Sequence, residues 1–338
     1  MKLSRITLIL AGAILCATAL NWTEVARGQF KDALKGGFPE PTGQIAFVRD
    51  RDLWLMEADG SNPRSHLVSG RIANKLVWSP DNQEILYCQL GVQTYQLPNG
   101  GGGTVKLYDV FAVRASNAKS VKQVTSDAMS SSPDYFPDGV RMAFTRNLNA
   151  MDLSAEFPLY QVFVSGIHAA PEAVNLNQGR LSTQLQLMTP SVSPDGKTIA
   201  CAISTETQMM SSNSSMGIVF FPSTGFKGTV LEWQTKAKIV AGGASPVWSP
   251  DGRYVAFVDQ STNTRSLALW DVEREVKRTV YQPLTLFGLT TVPPSWSPDG
   301  NWIIFANVKG NIMIVDRQGN NLRSLTRTGE DAYPAFSN

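Results

Sequence analysis

The chain is 338 residues long, 43% hydrophobic and 17% charged, enough sequence for one large or two modest domains with a sizeable core. Its formal charge of +2 disappears once residues 1–28 are set aside, because these hold Lys2, Arg5, Arg27 and Glu24. A neutral remainder speaks against a basic surface for nucleic acid or anionic membrane, so no nucleic-acid partner is expected. The chain begins with two cations, Lys2 and Arg5, and continues into the apolar run ITLILAGAILCATAL (Ile6–Leu20). That run suits a signal-peptide core and is shorter than the roughly 20 apolar residues of a membrane span. Residues 1–28 are therefore read as a signal peptide with several possible cleavage points, a retained N-terminal anchor being the alternative. Cys16 does not read as a lipidation site, since Leu15 stands where a small residue belongs. Cys88 and Cys201 remain beyond this region, both inside apolar runs, and are read as buried small hydrophobes.

After a short segment, residues 29–42, a repeat organises the sequence. Its copies are VWSPDNQEILYC (Val77–Cys88), DYFPDGVRMAFT (Asp134–Thr145), SVSPDGKTIACA (Ser191–Ala202), VWSPDGRYVAFV (Val247–Val258) and SWSPDGNWIIFA (Ser295–Ala306). Their prolines, at 80, 137, 194, 250 and 298, are spaced by 57, 57, 56 and 48 residues. In each copy an extended run ends near an aromatic residue (Trp78, Phe136, Trp248, Trp296) and meets Pro-Asp-Gly or its variant. Proline presets φ there, aspartate bonds its own backbone, and glycine takes the positive φ of a tight turn. A continuous apolar run follows, as expected of a strand buried on both faces. A further strand and a more polar one come later in each unit, among them DLWLMEADGSN then SHLVS, SLALWDVE then KRTVYQ, and NIMIVDRQGN then NLRSLTR. Four strands per unit with burial falling outward describe a propeller blade.

The two ends of the chain complement each other. GQIAFVRDRDLWLMEADGSNPRSHLVS (Gly43–Ser69) supplies strands two to four of a unit with no first strand, whereas AYPAFSN (Ala332–Asn338) is a first strand without partners. Joining them gives a six-bladed, all-β propeller whose ring is closed by the C-terminal strand, leaving no open sheet edge.

The recurring P-x-W-S-P-D-G-x-x-[IV]-A-F pattern, followed by strands such as LWLMEADGSN, resembles the TolB-type β-propeller repeat, a WD-repeat-like family. The resemblance covers Gly43–Asn338. TolB carries an α/β domain before its propeller, and the short stretch between signal and first strand here leaves no room for one. The resemblance implies a TolB-like envelope-associated propeller, although a propeller fold by itself fixes no activity.

Chemistry-bearing motifs are sparse. His66 and His168 fall in units that are not neighbours and off the innermost strands, which disfavours a shared catalytic or metal site. No G-x-S-x-G elbow, P-loop, dinucleotide fingerprint or zinc spacing is present, so no catalytic residue, metal or cofactor is assigned. Asp81, Asp138, Asp195, Asp251 and Asp299 recur as turn formers, and the charges of RDRD (Arg49–Asp52) are expected to bond one another at the surface. GGGG (Gly100–Gly103) reads as a flexible loop. Three consecutive units carry long connections between their second and third strands: Gln89–Gly103, Arg146–Pro158 and Ser204–Ser215. With the apolar connection PLTLFGLTTVPP (Pro283–Pro294), these would wall one face with Tyr95, Phe157, Met209, Met210, Leu286 and Phe287, the candidate binding residues. The expectation is a monomeric, periplasmic or secreted, non-catalytic scaffold for a protein or envelope component, touching membrane only through its N-terminal segment. An enzyme using carboxylate and tyrosine groups of the central funnel on a glycan or peptide is the alternative, and a sensor held at the membrane is a third.

Overall fold

Hydrophobic runs that follow each turn become the second strand of a sheet, and everything else in the architecture is arranged around them. The structure is a computed structural model describing residues 38–96, 102–150, 158–168, 174–176, 185–205, 217–225, 238–261, 264–283 and 289–338. A unit of Met1–Glu40 precedes the propeller unit, Pro41–Asn338.

Blade 1 contains β1 (Gln44–Arg49), β2 (Asp52–Glu57) and β3 (Arg64–Leu67), and blade 2 contains β4 (Ile72–Trp78), β5 (Glu84–Gln96), β6 (Gly102–Arg114) and β7 (Asn117–Gln123). Blade 3 is β8 (Ser130–Tyr135), β9 (Arg141–Asn147), β10 (Tyr160–Gly166) and β11 (Val174–Asn175). Blade 4 follows with β12 (Leu185–Val192), β13 (Thr198–Thr205), β14 (Gly217–Pro222) and β15 (Lys238–Ala241). Blade 5 has β16 (Gly243–Trp248), β17 (Tyr254–Asp259), β18 (Ser266–Asp271) and β19 (Val276–Tyr281); blade 6 has β20 (Ser295–Trp296), β21 (Trp302–Ala306), β22 (Ile312–Asp316) and β23 (Arg323–Ser324). The last strand, β24 (Asp331–Phe336), pairs antiparallel with β1 and completes blade 1 in the order β24-β1-β2-β3. Six four-stranded antiparallel sheets thus form a six-bladed propeller, and no helix occurs among the described residues.

Apolar packing lies between blades. Ala46, Trp78, Ile85 and Tyr87 join blades 1 and 2; Leu86, Val110, Tyr135 and Phe144 join blades 2 and 3; Phe136, Leu187, Ile199 and Cys201 join blades 3 and 4. The runs Ile45–Val48, Ile85–Cys88, Ile199–Ala202 and Val255–Val258 are buried throughout, which is why their sequences lack the alternation of a half-exposed strand. Cys88 and Cys201 are buried free thiols in blades 2 and 4.

The turns repeat one bonding scheme. In SPD[GN] turns the serine Oγ donates to the aspartate, as Ser79 to Asp81 (2.6 Å) and Ser249 to Asp251 (2.5 Å). The same Oγ accepts the N–H five residues on, at 2.9 Å from Glu84, Thr198, Tyr254 and Trp302. Glycines 139, 196, 252 and 300 take φ of +66° to +70° and lie against the preceding blade's turn proline, where an added Cβ would sit 3.4–3.9 Å from that ring.

Three readings are corrected by this arrangement. Tyr135, not Phe136, is the counterpart of the motif tryptophans, because Phe136 N–H donates to Arg141 O as Ser79 N–H does to Glu84 O. The outer strand within NLRSLTR shrinks to Arg323–Ser324. The charges of RDRD do not bond one another: Arg49 pairs with Asp331 across the closing strands, and Asp52 accepts the N–H groups of Ser69 and Gly70. Asp50 and Arg51, at φ +52° and +65°, make the tight β1–β2 turn that separates them.

Candidate functional site

Innermost strands converge on the propeller axis, and each of five carries a β-bulge there. The register shifts between Ala73 and Val77 in β4, Ser131 and Asp134 in β8, Met188 and Ser191 in β12, Ala244 and Val247 in β16, and Ala332 and Ala335 in β24. A non-glycine residue with positive φ sits in each bulge: Asn74 (67°), Ser132 (50°), Thr189 (48°), Ser245 (53°) and Tyr333 (51°). In four of them a proline follows, removing a donor the broken ladder could not use.

The fifth bulge, in β4, is longer by one residue and holds Lys75. Its ammonium, only 6% exposed by residue, reaches Asp134 Oδ1 at 2.5 Å and Pro190 O at 3.2 Å. Asp134 Oδ2 accepts the Val192 N–H at 2.7 Å. This pair ties blades 2, 3 and 4 together at the axis. A cavity of about 330 Å³ lies on the turn side, lined by Trp78, Tyr135, Val192, Trp248, Trp296 and Phe336, among others. A smaller one, about 200 Å³, opens on the other side against Asn74, Ser132, Met188, Thr189, Ser245 and Tyr333.

Aromatic rings beside the larger cavity belong to the inter-blade packing. Trp78 Nε1 donates to Ala335 O and Trp296 Nε1 to Val247 O, each reaching the preceding blade. Trp248 instead meets Phe220 edge-on at 5.7 Å, and its indole N–H is buried without a partner among the described residues, as are Tyr135 OH and Thr189 Oγ1. Burial raises the phenol pKa of both Tyr135 and Tyr333. The channel therefore offers hydroxyls, neutral phenols and an ion pair already committed to itself. It is suited to holding a small polar molecule more than to moving protons.

The histidines and two arginine–aspartate pairs sit away from the axis. His66 Nε2 lies 3.0 Å from Arg114 O, and His168 lies 3.3 Å from Glu84 and 3.4 Å from Lys122. Both brace blade 2, from opposite sides. Arg49 and Arg146, at matching positions of β1 and β9, each stack over two aromatics, Phe47 and Trp54 or Phe144 and Phe163, at 4.5–5.4 Å. Each also pairs with an aspartate, Asp331 or Asp127, which stiffens the face opposite the turns.

Of the sequence-derived binding residues, Phe157, Met209, Met210, Leu286 and Phe287 lie outside the described residues. Tyr95 falls on β5, in register with Gly103. The expected loop Gln89–Gly103 is mostly strand. β5 runs to Gln96, β6 starts at Gly102, and the connection narrows to residues 97–101. Alternating VQTYQ and TVKLY are compatible with a ladder, and the glycine run hid this by suggesting a loop. Lys75 and Asp134 were missed by sequence reasoning. The signal for Lys75 was a lone cation between apolar residues ahead of a turn motif.

No family model matches the sequence, and no curated protein does. Solved structures do. TolB from Acinetobacter baumannii superposes with a TM-score of 0.63 at 18% identity, over 91% of this chain and 69% of that one. A putative TolB from Agrobacterium tumefaciens gives 0.54 at 14% identity, over 85% and 90% of the two chains. A chain of a nidogen/laminin complex gives 0.56 at 7% identity, over 86% and 97%. At such identities the likeness concerns architecture, and that architecture is the six-bladed propeller found in TolB.

Proposed function

We propose that this protein is a non-catalytic, extracytoplasmic scaffold that binds a protein or envelope component on the propeller face opposite the turns. The observation that carries this reading is the Lys75–Asp134 pair. The carboxylate of Asp134, which lines the larger cavity, has one oxygen on an ammonium and the other on a backbone N–H, so both of its oxygens are engaged. The alternative enzyme acting on a glycan or peptide would need such a group free, and the neighbouring phenols titrate too high to replace it near neutral pH. The face opposite the turns holds the β5–β6 extension and the ends of β9 and β13, the usual place for recognition on a rigid frame. Export follows from the N-terminal cations and apolar run.

The test is cross-linking of the tagged full-length chain in cells, comparing wild type with a variant in which Gly91–Lys106 is replaced by a two-residue turn. A defined cross-linked partner that vanishes in the trimmed variant and persists in the double variant Lys75→Met with Asp134→Leu supports the binding face. A partner set unchanged by trimming, or turnover of a glycan or peptide that Asp134→Asn abolishes, overturns it.

A further inference from the structure

The β5–β6 ladder runs without interruption from the Glu84–Arg114 pair to the Gln96–Gly102 pair. Its neighbours stop much earlier. β4 reaches only as far as the Ile72–Gln89 pair, and β7 no farther than Phe111–Gln123, apart from one bridge between Tyr108 and Met129. Leu90–Gln96 and Gly102–Leu107 therefore form a two-stranded ribbon projecting about 20 Å beyond the blade, away from the turns from which β5 starts. A two-stranded ribbon is marginal alone in water and gains stability when a further strand covers it.

Its two edges differ. Leu90 N–H points away from β6, donating to Arg71 O at 2.8 Å. Strand alternation then places the N–H and C=O of Val92 and Thr94 on the same open edge. This edge carries neither charge nor proline along Leu90–Gln96, and Val92 is 62% exposed. On the opposite edge Tyr108 N–H points outward to Ala128 O at 3.1 Å, so Thr104 and Lys106 face outward as well. Lysine there is the usual guard against strand addition. Among the described residues, one edge is guarded by lysine and the other pairs with no strand beyond Gln89.

We propose that the open β5 edge pairs with the same edge of a second copy, joining two propellers face to face. The ribbon rises from one face, so ribbons from two facing propellers run antiparallel, as the ladder requires. Centred on Gln93, this pairing sets Val92 opposite Thr94 of the other copy, both with outward backbone groups, and brings no like charges together. The neutral chain beyond residue 28 adds no general repulsion. A single strand pair is a small interface, so the dimer is weak and concentration-dependent.

The test is sedimentation equilibrium of the exported chain from micromolar to millimolar concentration, with Gln93→Cys as a covalent trap. Gln93 of the two copies would face each other in the close, non-hydrogen-bonded type of pair, and Cys88 and Cys201 are buried. We expect reversible dimerisation, a disulfide-linked dimer of Gln93→Cys under mild oxidation, and at least a tenfold lower association constant for Thr94→Lys. Lys106→Glu should leave association unchanged. A chain that stays monomeric throughout, or a dimer lost with Lys106→Glu and kept with Thr94→Lys, overturns the proposal. So does a Thr94→Lys variant that loses a different protein partner while the wild type alone never self-associates. In the cross-linking comparison above, a self-dimer appears as a cross-link between two copies of this chain and a scaffold's partner as a cross-link to a different protein, so the two readings fail separately.

Discussion

Lys75 shows how one residue can set the character of a site. A lysine so deeply buried is tolerated because Asp134 and the Pro190 carbonyl take two of its three donors, and removing either charge leaves the other uncompensated. Lys75→Met should destabilise the fold by about 3 kcal/mol or more, whereas Lys75→Met with Asp134→Leu should recover most of that loss, since a buried pair often breaks even against apolar replacements. Urea unfolding of both variants checks this, and equal destabilisation of the single and the double variant would refute the coupling. Other buried residues set an alkaline limit. Burial pushes the Cys88 thiol and the Tyr87 phenol each up to about 12, from ordinary values of 9 and 10. Above those ordinary values the unfolded chain gives up protons that the folded chain keeps, so stability should fall as pH rises from 9 towards 12. Melting temperatures between pH 8 and 11 should be flat at first and then decline, and Tyr87→Phe should soften the decline above pH 10. Lys75 was hard to read in advance because its meaning depends on Asp134, 59 residues away, whereas the turn aspartates were legible because their partners are two residues distant.

At the scale of an element, β24 is the instructive strand. It pairs with β1 through Ile45–Phe336, Ala46–Ala335, Val48–Ala332 and Arg49–Asp331, and it ends by imitating a turn that the chain does not make there. Ser337 N–H donates to Gln44 O at 2.8 Å, and Ser337 Oγ accepts the Gln44 N–H at 3.0 Å. Ser79 and Glu84 make the same two bonds within a covalent turn. Asn338 stands where proline stands elsewhere and exchanges two 2.6 Å bonds with Asn82, which occupies the turn-glycine position at φ +58°. Ser337→Ala should therefore cost about 1 kcal/mol. Deleting Ala332–Asn338 should lower the melting temperature of the whole propeller sharply, because it opens blade 1 and exposes Trp78 and Ala46. Calorimetry decides, and an unchanged melting temperature would refute the role of β24 as clasp. The closing strand was legible because AYPAF repeats the register of the other first strands. The ribbon was not, since strand length depends on cross-strand pairing that a glycine-rich sequence does not announce.

At the scale of the molecule, ring and blade count followed from one local pattern, because each Pro-Asp-Gly turn fixes a hairpin and each hairpin's second strand needs a blade on both sides. The site was less legible. An axis exists only once the ring has closed, and the residues that reach it, Asn74, Ser132, Thr189, Ser245 and Tyr333, share a backbone conformation rather than a side-chain type. The non-covalent turn at Ser337 and Gln44 makes a further expectation possible. In each of the four covalent turns that begin with serine, four residues separate it from the residue whose N–H it accepts, as between Ser297 and Trp302. Replacing Asn338 by Pro-Asp-Gly and joining it to Gly43 restores that spacing, with Gln44 in the place of Trp302. A circular permutant made this way, with new ends opened within residues 97–101, exchanges a hydrogen-bonded clasp for a covalent one. We expect it to fold to the same propeller and melt within a few degrees of the parent, since the turn bonds and all six blades are retained. A companion permutant joined by a long glycine-serine linker separates geometry from connectivity. Its loop-closure entropy is less favourable, so it should melt below the Pro-Asp-Gly version. Equal melting temperatures would mean that the Ser337–Gln44 bonds do not behave as a turn, and a Pro-Asp-Gly permutant that fails to fold while the long-linker version folds would show that the spacing across the clasp differs from that of the other five turns.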